Sequence, residues 1–251
     1  MKSLFRSCLT LALASFPFAA SAQTGGSACE TIHEGGVSYS LCSAPAKGSD
    51  LRLFLRDPEG RIYGAFSSID RELAKTGERL AFAMNAGMYH EDRSPVGLYV
   101  ERGQQAKGLV TRGGFGNFHM RPNGVFWIGP AGAAVTESLR YARLKPKAVY
   151  ATQSGPMLVI GGKLHPRFDE KSDSLKIRNG VGVCKDGRVR FVISDARVSF
   201  HAFATLFRDR LGCPDALYLD GSISALHAPE LKRTDGWRPM GPIVGLVTKI
   251  R

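Results

Sequence analysis

The stretch IRNGVGVCKDGRVRFVIS, residues 177–194, decides the fold class. Two runs rich in Val, Ile and Phe, at 177–184 and 188–194, flank Lys185-Asp186-Gly187, whose Asp-Gly pair is a hairpin signal. Just downstream, Phe200, Phe203, Phe207 and Leu211 recur at spacings of three, four and four, which places them on one face of a helix over 199–211. Ser199 is placed to cap that helix and Gly212 to end it, and 216–219 returns as a strand. A strand pair, one covering helix and a further strand fit an α+β domain better than βαβ repetition.

Working outward, short strands are expected at 31–33, 37–42, 51–56 and 61–66, separated by Gly35-Gly36, Ala44-Pro45-Ala46 and Pro58-Glu59-Gly60 turns. A short helix over 67–75 follows, with Ser67 and Asp70 as a capping pair and Gly77 as its stop. Strands resume at 80–84 and 96–101 around a polar loop, 85–95, and continue at 124–128, 150–153 and 157–160, with a closing strand at 243–250. There is no internal repeat or low-complexity tract. The expected fold is a single α+β domain, strand-rich, with a mixed or antiparallel sheet and one principal packed helix.

The 251 residues, 43% hydrophobic and 22% charged, exclude a disordered or collagen-like chain, and the 29 glycines favour many turns over long helices. Residues 1–22 carry a leader pattern: Lys2 and Arg6, an apolar run over 8–20, and Ala20-Ser21-Ala22 as a cleavage signal. The apolar run is shorter than the roughly 18 residues that span a bilayer, so cleavage near Ala22 is expected rather than a stable membrane anchor. The mature domain is then 23–251, in a periplasmic or secreted setting. There, Cys29, Cys42, Cys184 and Cys213 are an even set suited to disulfides, with three pairings open. The preferred pairing is Cys29 with Cys42, across the Gly35-Gly36 hairpin, and Cys184 with Cys213, strand to helix end. No Cys-x-x-Cys supports a zinc site.

Four segments carry candidate chemistry. Asn85 and Gly87 open a loop after an apolar strand, where Asn85 suits a ligand hydroxyl or phosphate and Gly87 permits close backbone approach. Ser154 and Gly155 end another strand. This is not a Gly-x-Ser-x-Gly elbow, so a hydroxyl-binding Ser154 is the safer functional reading. Arg178 and Asn179 begin the central hairpin and Asp195 follows it; a guanidinium suits phosphate oxygens, and Asp195 is the nearby carboxylate that can pair with it instead. Asp220, Gly221 and Ser222 follow the strand at 216–219, with Asp220 suited to acid or base work or to holding a sugar hydroxyl. A turn made for conformational reasons remains the alternative at each glycine-bearing segment. The six His residues form no His-x-x-x-His pair, and no P-loop or dinucleotide fingerprint is present, so no metal or cofactor is expected. The net charge of +12 permits acidic partners, yet no basic run interleaved with aromatics points to nucleic acid.

Taken in order, NAGMYH (85–90), PVGL (95–98), NFHMRPNGVF (117–126), QSGPMLV (153–159), IRNGVGV (177–183) and ALYLDGSIS (216–224) resemble the phosphodiester glycosidase family, which includes the catalytic domain of the lysosomal uncovering enzyme. The likeness is to its bacterial exported branch. It implies hydrolysis between a sugar's anomeric carbon and a phosphodiester, releasing the sugar and a phosphomonoester. It further implies that Arg178, with backbone donors near Gly155 and Gly221, binds the phosphate, and that Asn85, Asn179, Ser154 and Ser222 orient phosphate and sugar hydroxyls. Asp220 is then the principal carboxylate and Asp195 its partner. The family's Leu-Asp-Gly-Gly-Gly-Ser is Leu219-Asp220-Gly221-Ser222-Ile223-Ser224 here, which narrows the expected backbone access. A non-catalytic module binding anionic envelope glycans, and a metal-dependent phosphodiesterase cutting the other ester bond, are the alternative readings.

Overall fold

The central hairpin lies inside the largest sheet of the fold. The structure, a computed structural model, describes residues 28–220, 223–236 and 238–250; the leader, Gly221 and Ser222 lie outside the described residues. The strands of the first half are β1 (Ala28–Glu34), β2 (Val37–Pro45), β3 (Leu51–Phe54), β4 (Glu78–Asn85), β5 (Tyr99–Glu101), β6 (Gln104–Lys107), β7 (Gly124–Gly129), β8 (Gly132–Glu137) and β9 (Tyr150–Ser154). The second half adds β10 (Met157–Ile160), β11 (Lys163–Leu164), β12 (Asn179–Val183), β13 (Arg188–Ser194), β14 (Asp215–Tyr218), β15 (Leu226–Ala228), β16 (Arg233–Thr234) and β17 (Ile243–Lys249). Helices are α1 (Phe66–Ala74), α2 (Ser138–Leu144) and α3 (Phe200–Thr205), the last continued by a π-helical turn, Leu206–Arg210.

Three sheets result. A seven-stranded sheet runs β1-β2-β13-β12-β14-β10-β11, one five-stranded sheet runs β16-β15-β4-β17-β3, and the other runs β6-β5-β9-β7-β8. The pairings within them are antiparallel, which resolves the open choice between mixed and antiparallel.

Alternation along the strands explains the layering. On β13 and β14, Val189, Phe191, Ile193 and Leu217 face a core shared with Phe82, Met84 and Val244 of the second sheet and Phe126 of the third. Val192, Ala216 and Tyr218 point the other way, against Phe203, Ala204 and Phe207 of the α3 segment. The principal helix therefore covers the outer face of the seven-stranded sheet. Ser199 caps it, accepting from the Ala202 N–H at 3.1 Å, and Gly212 ends it at a φ of +66°.

Two local expectations fail. The strand expected at 61–66 reduces to a single bridge, Arg56 with Ile62, because Phe66 already opens α1 and buries against Ile69 and Leu73. The Ser67–Asp70 capping pair does not form either. Ala65 stands at the N-cap, and Asp70 instead accepts from the Leu80 N–H at 2.8 Å, tying α1 to β4.

Both expected disulfides are present. Cys29 and Cys42 face each other across β1 and β2, and Cys184 just beyond β12 joins Cys213 just beyond the π-helical turn. The second closes a separation of 29 residues against 13 for the first, so it restricts the unfolded chain more. Loop-closure entropy predicts that removing it with paired Ala substitutions costs about 3.5 kcal/mol, read as a lower urea midpoint. A loss below about 1 kcal/mol would put the anchoring of α3 elsewhere.

Candidate active site

All three sheets deliver a strand end to one place. β4 of the second sheet ends at Asn85, β9 of the third ends at Ser154, and in the first sheet β12 begins at Asn179 while β14 runs out toward Asp220. Asn85, Ser154 and Asn179 have no exposed surface, and Asp220 retains 7%. Such polar groups survive burial only when hydrogen-bonded, and these bond to one another.

Asn179 is the hub. Its Nδ2 donates to Asn85 Oδ1 at 2.8 Å and to the Asn85 carbonyl at 3.3 Å, while its Oδ1 accepts from the Asp220 N–H at 3.0 Å. Asn85 Oδ1 also accepts from the Ala225 N–H at 2.8 Å. Ser154 Oγ donates to the Leu219 carbonyl, and Ser224 Oγ donates to the Asp220 carbonyl at 3.0 Å. The backbone on both sides of Asp220 is thus pinned by side chains from distant strands, which fixes where its carboxylate emerges. Asn85 Nδ2 is buried without a protein partner, so the frame holds one spare donor.

Arg178 is also enclosed, at 1% exposure. Its Nε donates to the Val198 carbonyl at 2.8 Å and its Nη2 to the Ser174 carbonyl at 2.7 Å, with the guanidinium carbon 3.5 Å from the Phe200 ring centroid. Nη1 and the nearby Tyr218 hydroxyl find no partner elsewhere in the protein and are close enough to interact with each other. Burial lowers the Arg178 pKa from its ordinary value and raises that of Tyr218, which also feels Asp220. Tyr89, in the loop after β4, has its phenol pushed up to about 12, first by burial and then by the Asp220 charge.

Asp195 goes to a separate group. Its Oδ1 takes Arg233 Nη1 at 2.6 Å and Ser40 Oγ at 3.4 Å, and Arg233 also holds Asp235 at 2.9 Å. Both described glycines lie close against neighbouring protein atoms. A Cβ on Gly87 would lie 2.4 Å from the Gln153 carbonyl oxygen, and one on Gly155 would lie 2.7 Å from Asn123 Cβ. Gly87→Ala is expected to lower stability by about 1–3 kcal/mol, because the loop must lift off β9; an unchanged thermal midpoint would show that this approach can relax.

Tyr89 and Tyr218 were not singled out from the sequence. The signal for Tyr218 is its place two residues before Asp220, which repeats the strand's facing rule. Tyr89 carries no comparable local sign. Among the described residues no group of three or more His, Cys, Asp or Glu side chains is placed to hold a metal ion.

The chain is 34% identical over 177 residues to YigE of Escherichia coli K12, an uncharacterised protein, covering 70% of this chain and 69% of that one. The fold matches the catalytic domain of zebrafish N-acetylglucosamine-1-phosphodiester alpha-N-acetylglucosaminidase, auto-inhibited by its pro-peptide, with a TM-score of 0.60, 14% identity and coverage of 88% of this chain and 82% of that one. It also matches a Burkholderia pseudomallei protein ascribed to export, with a TM-score of 0.55, 12% identity and coverage of 84% and 74%. The profile of phosphodiester glycosidases matches residues 78–242, a span that takes in Asn85, Ser154, Asn179 and Asp220 together with the strands that carry them, and the chain belongs to that family.

Proposed function

We propose that this protein is an exported hydrolase that cleaves the glycosidic bond of a sugar-1-phosphodiester, releasing the free sugar and a phosphomonoester. The observation that carries the reading is Asp220: a carboxylate at the rim of an otherwise buried polar frame, with its backbone N–H and C=O both held by side chains. Family membership supplies the reaction class. Two disulfides support the exported setting, and no helix among the described residues is long and apolar enough to cross a membrane.

Glycosidic cleavage builds positive charge on the anomeric carbon, and a fixed carboxylate stabilises it. Water supplies the oxygen to that carbon, the bond from the carbon to the phosphate oxygen breaks, and the electron pair leaves on the phosphate. A phosphate leaving group is already a stable anion, so the reaction makes little demand for a strong acid. This suits a site with one carboxylate at its rim and the second, Asp195, tied to Arg233. Arg178, locked behind Tyr218 and Phe200, acts as a fixed positive charge rather than as a flexible clamp. Asn85, Asn179 and Ser154 hold the frame, with Asn85 Nδ2 as its spare donor.

The test is product analysis of purified 23–251 with a panel of sugar-1-phosphodiesters. Free sugar and phosphomonoester in equal amounts are expected. Saturable glycan binding without turnover across the panel would make the protein a binding module, and chelator-sensitive release of sugar phosphate with free alcohol would make it a phosphodiesterase of the other bond.

A further inference from the structure

Beside the loop that carries Tyr89 lies an open pocket of about 400 Å³ lined by none of the site residues named above. Its walls include Ile62, Tyr63, Ala65 and Pro239, and its polar lining includes two guanidinium-bearing residues, Arg93 and Arg238. No carboxylate stands among its described lining residues. A concave site with apolar walls and two cations favours an anion joined to an apolar group.

Tyr89 packs at the edge of this pocket. The Arg93 guanidinium lies 5.6 Å from the Tyr89 ring centroid, and the Tyr89 hydroxyl donates to the carbonyl of Pro239 at 3.5 Å. Gly241 passes so close to the same ring that a Cβ there would lie 2.5 Å from Tyr89 Cγ. Arg93 is half-buried and forms no ion pair among the described residues. Beyond Gly241 the same wall runs into Pro242, whose carbonyl accepts from the Ala86 N–H at 2.7 Å, and into Ile243, which pairs with Asn85, so the pocket adjoins the frame that holds Asp220; the phenol, raised first by burial, is raised further by Asp220 and lowered by Arg93 and Arg238.

We propose that this cavity is the leaving-group subsite: Arg93 and Arg238 hold the phosphate, and the Ile62–Pro239 wall takes an apolar alcohol portion. The inference rests on the hydrolase reading for its name as a subsite, but not for its ligand chemistry. It assigns the substrate as a sugar joined through phosphate to an apolar alcohol, aryl or alkyl, rather than to a second sugar. It also moves the phosphate contact from Arg178, which is enclosed, to two arginines that reach a cavity.

Binding separates this idea from the activity. Phenyl phosphate, inorganic phosphate and phenol are titrated calorimetrically into 23–251, into Arg93→Gln and Arg238→Gln, and into Asp220→Asn. Phenyl phosphate is expected to bind best, with each arginine substitution weakening it about tenfold or more, as loss of a charge-assisted hydrogen bond does. Asp220→Asn should bind it at least as tightly as wild type, since a like charge is removed. Arg93→Lys and Arg238→Lys, with circular dichroism of every variant, separate loss of charge from loss of fold. Equal affinity of wild type and both folded Gln variants overturns the subsite, as does preference for inorganic phosphate over phenyl phosphate. Arginine-dependent binding of phenyl phosphate without hydrolysis of any sugar phosphodiester supports the anion site and sinks the hydrolase reading. Hydrolysis with a KM indifferent to both arginines does the reverse.

Discussion

Asp220→Asn is expected to lower kcat on a sugar-1-phosphodiester by roughly a thousandfold, about 4 kcal/mol of transition-state stabilisation, with little change in thermal midpoint. The reason lies in how the residue is held. Its main chain is held by Asn179 Oδ1 and Ser224 Oγ, and both of these contacts remain when the carboxylate becomes an amide. Asn keeps the shape and the rim position. What it loses is the negative charge that faces a developing oxocarbenium ion and the oxygen that can act as base or nucleophile. Since the carboxylate acts in the transition state, KM should change much less than kcat. Full turnover by a folded Asp220→Asn protein would remove Asp220 from the chemistry.

Asn179→Ala should have the largest effect on stability. It removes the donor to Asn85 Oδ1 and the acceptor for the Asp220 N–H in one step, at a position with no exposed surface. Buried groups left unpaired cost about 1–3 kcal/mol each, and members of one network reinforce one another, so a loss on the order of 2–5 kcal/mol is expected in urea unfolding. Turnover should fall as well, because the segment bearing Asp220 is freed at one of its anchors. A drop under about 1 kcal/mol would mean that water replaces the amide and that the frame is looser than its hydrogen bonds imply.

The two substitutions separate chemistry from architecture, and that division also marks what a sequence can disclose. The Asp-Gly turn of the central hairpin, the Phe203 and Phe207 helix face and the Ser199 cap depend on residues within a few positions of one another, and each forms as read. The fold class follows from them. The α2 helix was missed because its cap is Glu137, which accepts from the Leu139 and Arg140 N–H groups in place of a Ser, Thr, Asp or Asn. Strand β8, GAAVTE, is too rich in small residues to announce a strand. At the site, the residue types were legible but their jobs were not. The Asn85–Asn179 bond spans 94 positions and the Asn85–Ala225 bond 140, and no local pattern encodes either. That a guanidinium suits phosphate follows from residue type alone, but the partners that hold Arg178 do not. Its true surroundings are Val198, Ser174 and Phe200, set by how 165–178 folds back over α3.

The most direct test of the central claim is hydrolysis in water enriched in heavy oxygen, because free sugar and phosphomonoester arise from breaking either bond of the bridging oxygen. Cleavage at the anomeric carbon, as proposed here, puts the label in the sugar and leaves the phosphomonoester unlabelled. Label in the phosphomonoester would mean attack at phosphorus, and Asp220 would no longer be a carboxylate facing an oxocarbenium ion.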